Sequence, residues 1–85
     1  MIQKPMIKFY GTNWCWASKR AKKLLIDNKI EFKWFNIDED VEARDFVKSV
    51  NNGKRSVPTI VFPNGDILVE PSIKELEEKI IGENN

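Results

Sequence analysis

One side chain stands out for its chemistry. Cys15 is the single cysteine of the chain and lies in the run N-W-C-W-A-S-K-R at positions 13 to 20, bracketed by Trp14 and Trp16, with Ser18 three places on. There is no histidine, so a Cys-His hydrolase is excluded, and one cysteine cannot build a zinc site within a single chain. What remains is the chemistry of the thiol itself: nucleophilic attack on another sulfur, which depends on ionisation and access. One cysteine also cannot close an internal disulfide, which agrees with a reducing, cytoplasmic compartment.

The elements that must position this thiol follow from the pattern. Ile7 to Tyr10 is a short apolar run ended by Gly11, and Ala17, Ala21, Leu24, Leu25 and Asn28 then recur at helical spacing, so a strand leads into a helix. Cys15 falls at the start of that helix, where unpaired N–H groups and the positive end of the helix dipole favour a thiolate over a thiol. Lys19 follows one turn along the same face. A buried cysteine acting as a small hydrophobe is the competing reading, and a polar loop just before a helix start argues against it.

Phe32 to Ile37 reads as a second strand, with Phe35 and Ile37 on one face and Trp34 on the other. Asp38, Glu39 and Asp40 suit a helix start, and Ala43, Phe46, Val47 and Val50 form the apolar stripe of a helix from about Val41 to Asn51, with Gly53 as its left-handed cap. Thr59 to Phe62 predicts a buried strand, and Asn64-Gly65 supplies two positive-φ residues for a tight hairpin to Asp66–Val69. Ser72 and Glu75 have the spacing of a capping box opening a last helix with Ile73, Leu76, Ile80 and Ile81 on its apolar side and Gly82 at its end. The order is βαβαββα, with the first two strands parallel across a right-handed crossover.

Eighty-five residues, 41% hydrophobic and 32% charged, suit one globular domain spanning 1 to 85 with an ordered core of about 6 to 82. Fourteen Lys and Arg against 13 Asp and Glu leave a net charge of +1, no basis for binding nucleic acid; the cluster Lys19, Arg20, Lys22, Lys23 reads as a solvated helix face. The start M-I-Q-K-P-M lacks the apolar run of a secretory leader, and no segment is apolar for long enough to span a bilayer.

Three stretches then carry a specific likeness. T-N-W-C-W-A-S at 12 to 18, S-V-N-N-G-K-R-S-V-P-T at 49 to 59 and N-G-D-I-L-V-E-P-S at 64 to 72 resemble segments of the glutaredoxin family, and its mycoredoxin branch more than the ordinary glutathione-dependent enzymes. The resemblance implies a thioredoxin-like α/β fold, a four-stranded mixed sheet of order 2-1-3-4 with helices on both faces. It also implies a cis bond at Val57-Pro58 beside the thiol, exposing the Val57 backbone to an extended thiol-bearing peptide.

By the same resemblance, the chain is a thiol-disulfide oxidoreductase that reduces mixed disulfides between proteins and a low-molecular-weight thiol through Cys15. Its co-substrate would be glutathione, mycothiol or a similar thiol, with no tightly bound cofactor and no metal, and it would act as a monomer on small-thiol mixed disulfides and oxidised proteins, without nucleic acid or membrane. Trp14, Trp16, Lys54, Arg55, Val57, Pro58, Ser72 and Ile73 are the candidate binding residues; carboxylates would be met by the N–H groups near Ser72 and Ile73 and by Lys54 and Arg55. The family motif is C-x-x-C, and Ser18 stands in place of the resolving cysteine, either as the natural residue of a single-thiol member or as a replacement. Its hydroxyl is placed to donate to the thiolate. Two alternatives belong to other classes: a dimer holding an iron-sulfur cluster, against which the absence of C-G-F-S counts, and a non-catalytic interaction domain on the same fold.

Overall fold

The computed structural model describes residues 6–84; the M-I-Q-K-P stretch read above for a leader, and Asn85, lie outside the described residues. The elements follow in the order β1 (Ile7–Gly11), α1 (Trp16–Asp27), β2 (Phe32–Asn36), α2 (Val41–Val50), β3 (Thr59–Val61), β4 (Ile67–Val69) and α3 (Ile73–Asn84). The sheet order is β2-β1-β3-β4, with β1 parallel to β2 and antiparallel to β3, and β3 antiparallel to β4. This is the thioredoxin-like arrangement.

Strand alternation divides the core into two layers. Ile7 and Phe9 of β1, with Ile60 and Phe62, face α1 and α3, where Ala21, Leu25, Leu76 and Ile80 close the larger cluster. Tyr10 faces the other way, onto Ile37 and onto Ala43 and Val47 of α2. Burial of a side chain such as Leu25, fully enclosed, contributes about 1.5–3 kcal/mol. Trp34 packs on the first layer and Phe35 on the second, as neighbours in a strand must. Lys22 lies over the Trp34 ring at 4.2 Å, and Lys23 pairs with Asp27 at 2.8 Å, so part of the basic cluster is spent within the chain.

The helix ends explain the boundaries. Asp40 caps α2 by accepting from the Ala43 N–H at 3.0 Å. In the box at α3, the Glu75 N–H donates to Ser72 Oγ (3.1 Å) and the Ser72 N–H to Glu75 Oε1 (3.0 Å). At the end of α2 the left-handed residue after the cap is Asn52 (φ 55), and Gly53 (φ 87) follows it, its N–H reaching the Lys48 carbonyl at 2.7 Å. Asparagine tolerates that conformation, so the expected glycine cap is moved one place on.

Three other details depart from the sequence pattern. The hairpin is a three-residue loop, closed by Phe62 N–H to Asp66 O at 2.8 Å and by Gly65 N–H to Phe62 O at 2.8 Å, with only Gly65 at positive φ (94°). Pro63 holds φ near −65°, which suits the first inner position of an ordinary turn closed by a left-handed glycine. Ile81 is exposed, because it lies about 100° round the helix from the buried Ile80. Finally, α3 runs through Gly82, which keeps φ outside the left-handed region and does not terminate it.

Candidate active site

The parallel register of β1 and β2 pairs Gly11 with Asn36, so the chain segments leaving both strands travel side by side. Thr12 to Cys15 leaves β1 and Ile37–Asp38 leaves β2. On the opposite side of β1, Tyr10 is paired with Thr59, which brings Val57 and Pro58 up beside the same loop. The site is assembled where three connections meet at one end of the sheet.

Cys15 is the N-cap of α1, with extended backbone (φ −80°, ψ 118°), and its carbonyl accepts from the Lys19 N–H at 3.0 Å. Its side chain does not cap the helix. Instead Sγ lies 4.0 Å from the Val57 carbonyl oxygen, and the thiol is half-buried. The Val57–Pro58 bond is cis. Pro58 is buried and Val57 half-buried, and the Glu70 N–H reaches back to the Pro58 carbonyl at 2.8 Å, tying this turn to the segment before α3.

Ser18 is fully buried and its hydroxyl has no hydrogen-bond partner. The expectation that it donates to the thiolate is therefore corrected. With Ala21 and Leu25 it belongs to the helical stripe facing the sheet, at i, i+3 and i+7. Gly11 leaves it room: a Cβ on Gly11 would stand 2.8 Å from Ser18 Oγ, 3.0 Å from Ser18 Cβ and 3.0 Å from the far edge of Trp34.

Trp14 and Trp16 flank the thiol at 71% and 74% exposure. Trp14 is nevertheless held: its Nε1–H donates to Asp38 Oδ2 at 2.7 Å. The other oxygen, Oδ1, accepts from Arg55 Nη2 at 3.1 Å. Asp38 is set in place by its own N–H donating to Asn36 Oδ1 at 2.9 Å. Together Thr12, Trp14, Ile37, Asp38, Arg55 and Val57 line a cleft of about 330 Å³. Thr12 is buried with its hydroxyl unpaired.

Sequence reasoning missed Asp38 and Thr12 as members of the site. Asp38 was legible only as a helix-start charge; the available signal was its place two residues past the end of a strand paired in parallel with the one that feeds Cys15. Lys54 is exposed in the loop before Arg55. Ser72 and Ile73 open α3, but the Ser72 N–H offered for a ligand carboxylate is already donated to Glu75. That donor is occupied because the capping box needs it. Among the described residues no group of three or more Cys, Asp or Glu side chains could hold a metal ion, and no helix is long and apolar enough to cross a membrane.

With this geometry in view, the family profile for glutaredoxin matches residues 7–68, the span that holds β1, the Cys15 turn, α2 and the cis-proline. The chain belongs to the glutaredoxin family. It is 37% identical over 75 residues to a protein designated a glutaredoxin in Mycobacterium tuberculosis, covering 88% of this chain and 89% of that one. It is 36% identical over 74 residues to mycoredoxin 1 of Corynebacterium glutamicum, covering 87% and 91%. Among solved structures, a glutaredoxin from Archaeoglobus fulgidus superposes with a TM-score of 0.71 at 25% identity, over 89% of this chain and 86% of the other. A thioredoxin-like protein gives 0.74 at 24% identity, over 85% and 96%, and speaks for the fold. As a glutaredoxin with a mycoredoxin-like sequence, the chain falls in the class of thiol-disulfide oxidoreductases that work on small thiols and thiol-modified proteins.

Proposed function

We propose that this glutaredoxin cleaves mixed disulfides between proteins and a low-molecular-weight thiol by a single-thiol mechanism centred on Cys15. The observation that carries the reading is the sulfur of the half-buried Cys15 at the head of α1, 4.0 Å from the carbonyl of Val57 in the cis Val57–Pro58 turn. The backbone of a thiol-bearing peptide or small thiol aligned along Val57 brings its disulfide against that sulfur.

The Cys15 thiolate attacks the small-thiol sulfur, the disulfide bond breaks, and the protein thiolate leaves and takes up a proton. A second small thiol, as its thiolate, then attacks the Cys15 adduct, releasing a small-molecule disulfide and regenerating Cys15. In the net exchange one mixed disulfide and one free small thiol give the recovered protein thiol and one small-molecule disulfide. Ser18 has no sulfur with which to resolve the adduct and lies beneath the helix, so the second step has to come from solution. Trp14 and Trp16, next to Cys15 in the chain, supply exposed apolar surface near the reacting sulfur. Lys54 and Arg55 lie on the Val57 side, and Ile73 at the start of α3, as contacts for the remainder of the small thiol.

No resident cofactor enters this scheme; glutathione, mycothiol or a related thiol is the co-substrate. Each copy of the chain holds the complete site, so a monomer suffices, and a lone thiol without an internal disulfide suits the reducing cytoplasm.

The test is intact-mass analysis after exposure to several small disulfides. Wild type gains one small-thiol adduct, which reduced small thiol removes, and Cys15→Ser gains none. Turnover persisting in Cys15→Ser, or reduction of an insulin-type dithiol disulfide at the rate of a two-cysteine relative, would refute the mechanism.

A further inference from the structure

The Cys15 site contains a carboxylate with no part in the exchange itself. Asp38 uses both oxygens, one on the Trp14 indole N–H and one on the Arg55 guanidinium. Arg55 is the cation lining the cleft between Trp14 and Val57, and Asp38 lines that cleft beside it. A ligand carboxylate arriving there meets a guanidinium already engaged and a fixed negative charge next to it. To pair with Arg55 it has to use the guanidinium's remaining donors or displace Asp38, and in either case it bears the repulsion of the neighbouring carboxylate.

We propose that Asp38 is a specificity-determining residue for the reaction at Cys15: by occupying Arg55 and pinning Trp14, it disfavours small thiols that carry a carboxylate into this cleft relative to thiols that are neutral there. The inference rests on the reading of Cys15 as the exchanging thiol. One feature supports it independently of the family: the geometry of Asp38 is built, since the Asn36 side chain accepts from the Asp38 N–H and holds it across from Trp14.

The experiment compares the rate of the first chemical event for two reagents, 3,3′-dithiodipropionate, a dianion, and bis(2-hydroxyethyl) disulfide, which is neutral. In each, the Cys15 thiolate attacks one sulfur, the disulfide bond breaks, and half of the reagent leaves as a thiolate, so the adduct is counted by intact mass. The quantity read is the ratio of the anionic to the neutral rate, from which general thiol reactivity cancels. Asp38→Asn keeps a carbonyl oxygen for the Trp14 indole and releases Arg55. We expect the ratio to rise about threefold to fivefold, the upper range for a half-exposed ion pair.

Two controls separate specific pairing from bulk charge. In Asp38→Asn combined with Arg55→Gln the ratio returns to the wild-type value. Glu39→Gln, which removes an equal charge at an adjacent exposed position, leaves it within about 1.5-fold of wild type, an order-of-magnitude expectation for a screened surface charge. An unchanged ratio in Asp38→Asn, an equal rise in Glu39→Gln, or a rise that survives loss of Arg55 overturns the proposal. Because adduct formation needs only a reactive thiol, the ratio stays readable even if catalytic turnover fails, so the two readings fall separately.

Discussion

Replacing Gly11 by alanine tests how the thiol-bearing helix is seated on the sheet. Gly11 does not need a positive φ, so the backbone accepts alanine and the whole effect is one of space. The new methyl group would stand 3.0 Å from Ser18 Cβ, 3.0 Å from the Trp34 edge and 2.8 Å from Ser18 Oγ. Carbon pairs rest at about 3.5–4.0 Å, so α1 and Trp34 have to give by roughly half an ångström or more. Overpacking of this kind costs about 1–3 kcal/mol, which for a domain of this size lowers Tm by roughly 5–20 °C.

Because Ser18 lies one turn from Cys15 on the same helix, the displacement also shifts Sγ against Val57, and the exchange rate falls along with stability. The assay is urea unfolding of wild type, Gly11→Ala, Ser18→Ala and the double variant, with Cys15 adduct rates on each. Ser18→Ala removes the 2.8 Å oxygen contact together with a buried unpaired hydroxyl, so the double variant should be more stable than the sum of the singles by at least about 0.5 kcal/mol. Losses that simply add, or a Gly11→Ala protein with unchanged Tm, would show that α1 does not rest on Gly11 through Ser18.

Introducing a second thiol by Ser18→Cys places it next to Gly11, where no Cβ stands in its way. The new thiol attacks the Cys15 mixed disulfide and expels the substrate thiol, so reduction of an insulin-type disulfide, followed by turbidity, should appear; if position 18 is not the resolving place, it stays at the wild-type level. Tyr10, stacked on Phe35 and Phe46 at 4.7 and 4.9 Å, has its phenol pKa pushed up, first by burial and then by the charge of Asp40. The folded state thus holds this proton more tightly than the unfolded chain. The corresponding stability is fully present below about pH 10 and is lost as pH rises through the raised folded value. Urea unfolding of wild type against Tyr10→Phe across that range checks it: the difference between the two should change above pH 10 and stay flat below.

Much of this molecule can be read along the chain, because the deciding forces there are local. Short apolar runs, turn residues and helical stripes locate the seven elements of the described residues, and the reciprocal Ser72–Glu75 bonds follow from a spacing of three. Where a local rule had competition, it missed by a residue or two. Pro63 turned an expected two-residue hairpin into a three-residue loop, and Asn52 took the left-handed position ahead of Gly53. Ser18 was visible as a missing partner for Cys15 but not as a buried group. Ser18 lies in α1, and its surroundings, Gly11 and Trp34, come from two strands, β1 and β2.

Sequence alone determined the chemistry on offer: one thiol at a helix start, no histidine, no second cysteine, and a Val-Pro turn some forty residues on, since residue type and short-range spacing carry that information. Tertiary structure decided what surrounds the sulfur. Asp38 holds Trp14 on one oxygen and Arg55 on the other, joining residues 24 and 17 positions away. Such a contact exists only once a parallel β1–β2 register and an antiparallel β1–β3 register have brought three loops to the same end of the sheet, and side-chain geometry across three connections leaves no periodic trace in the chain.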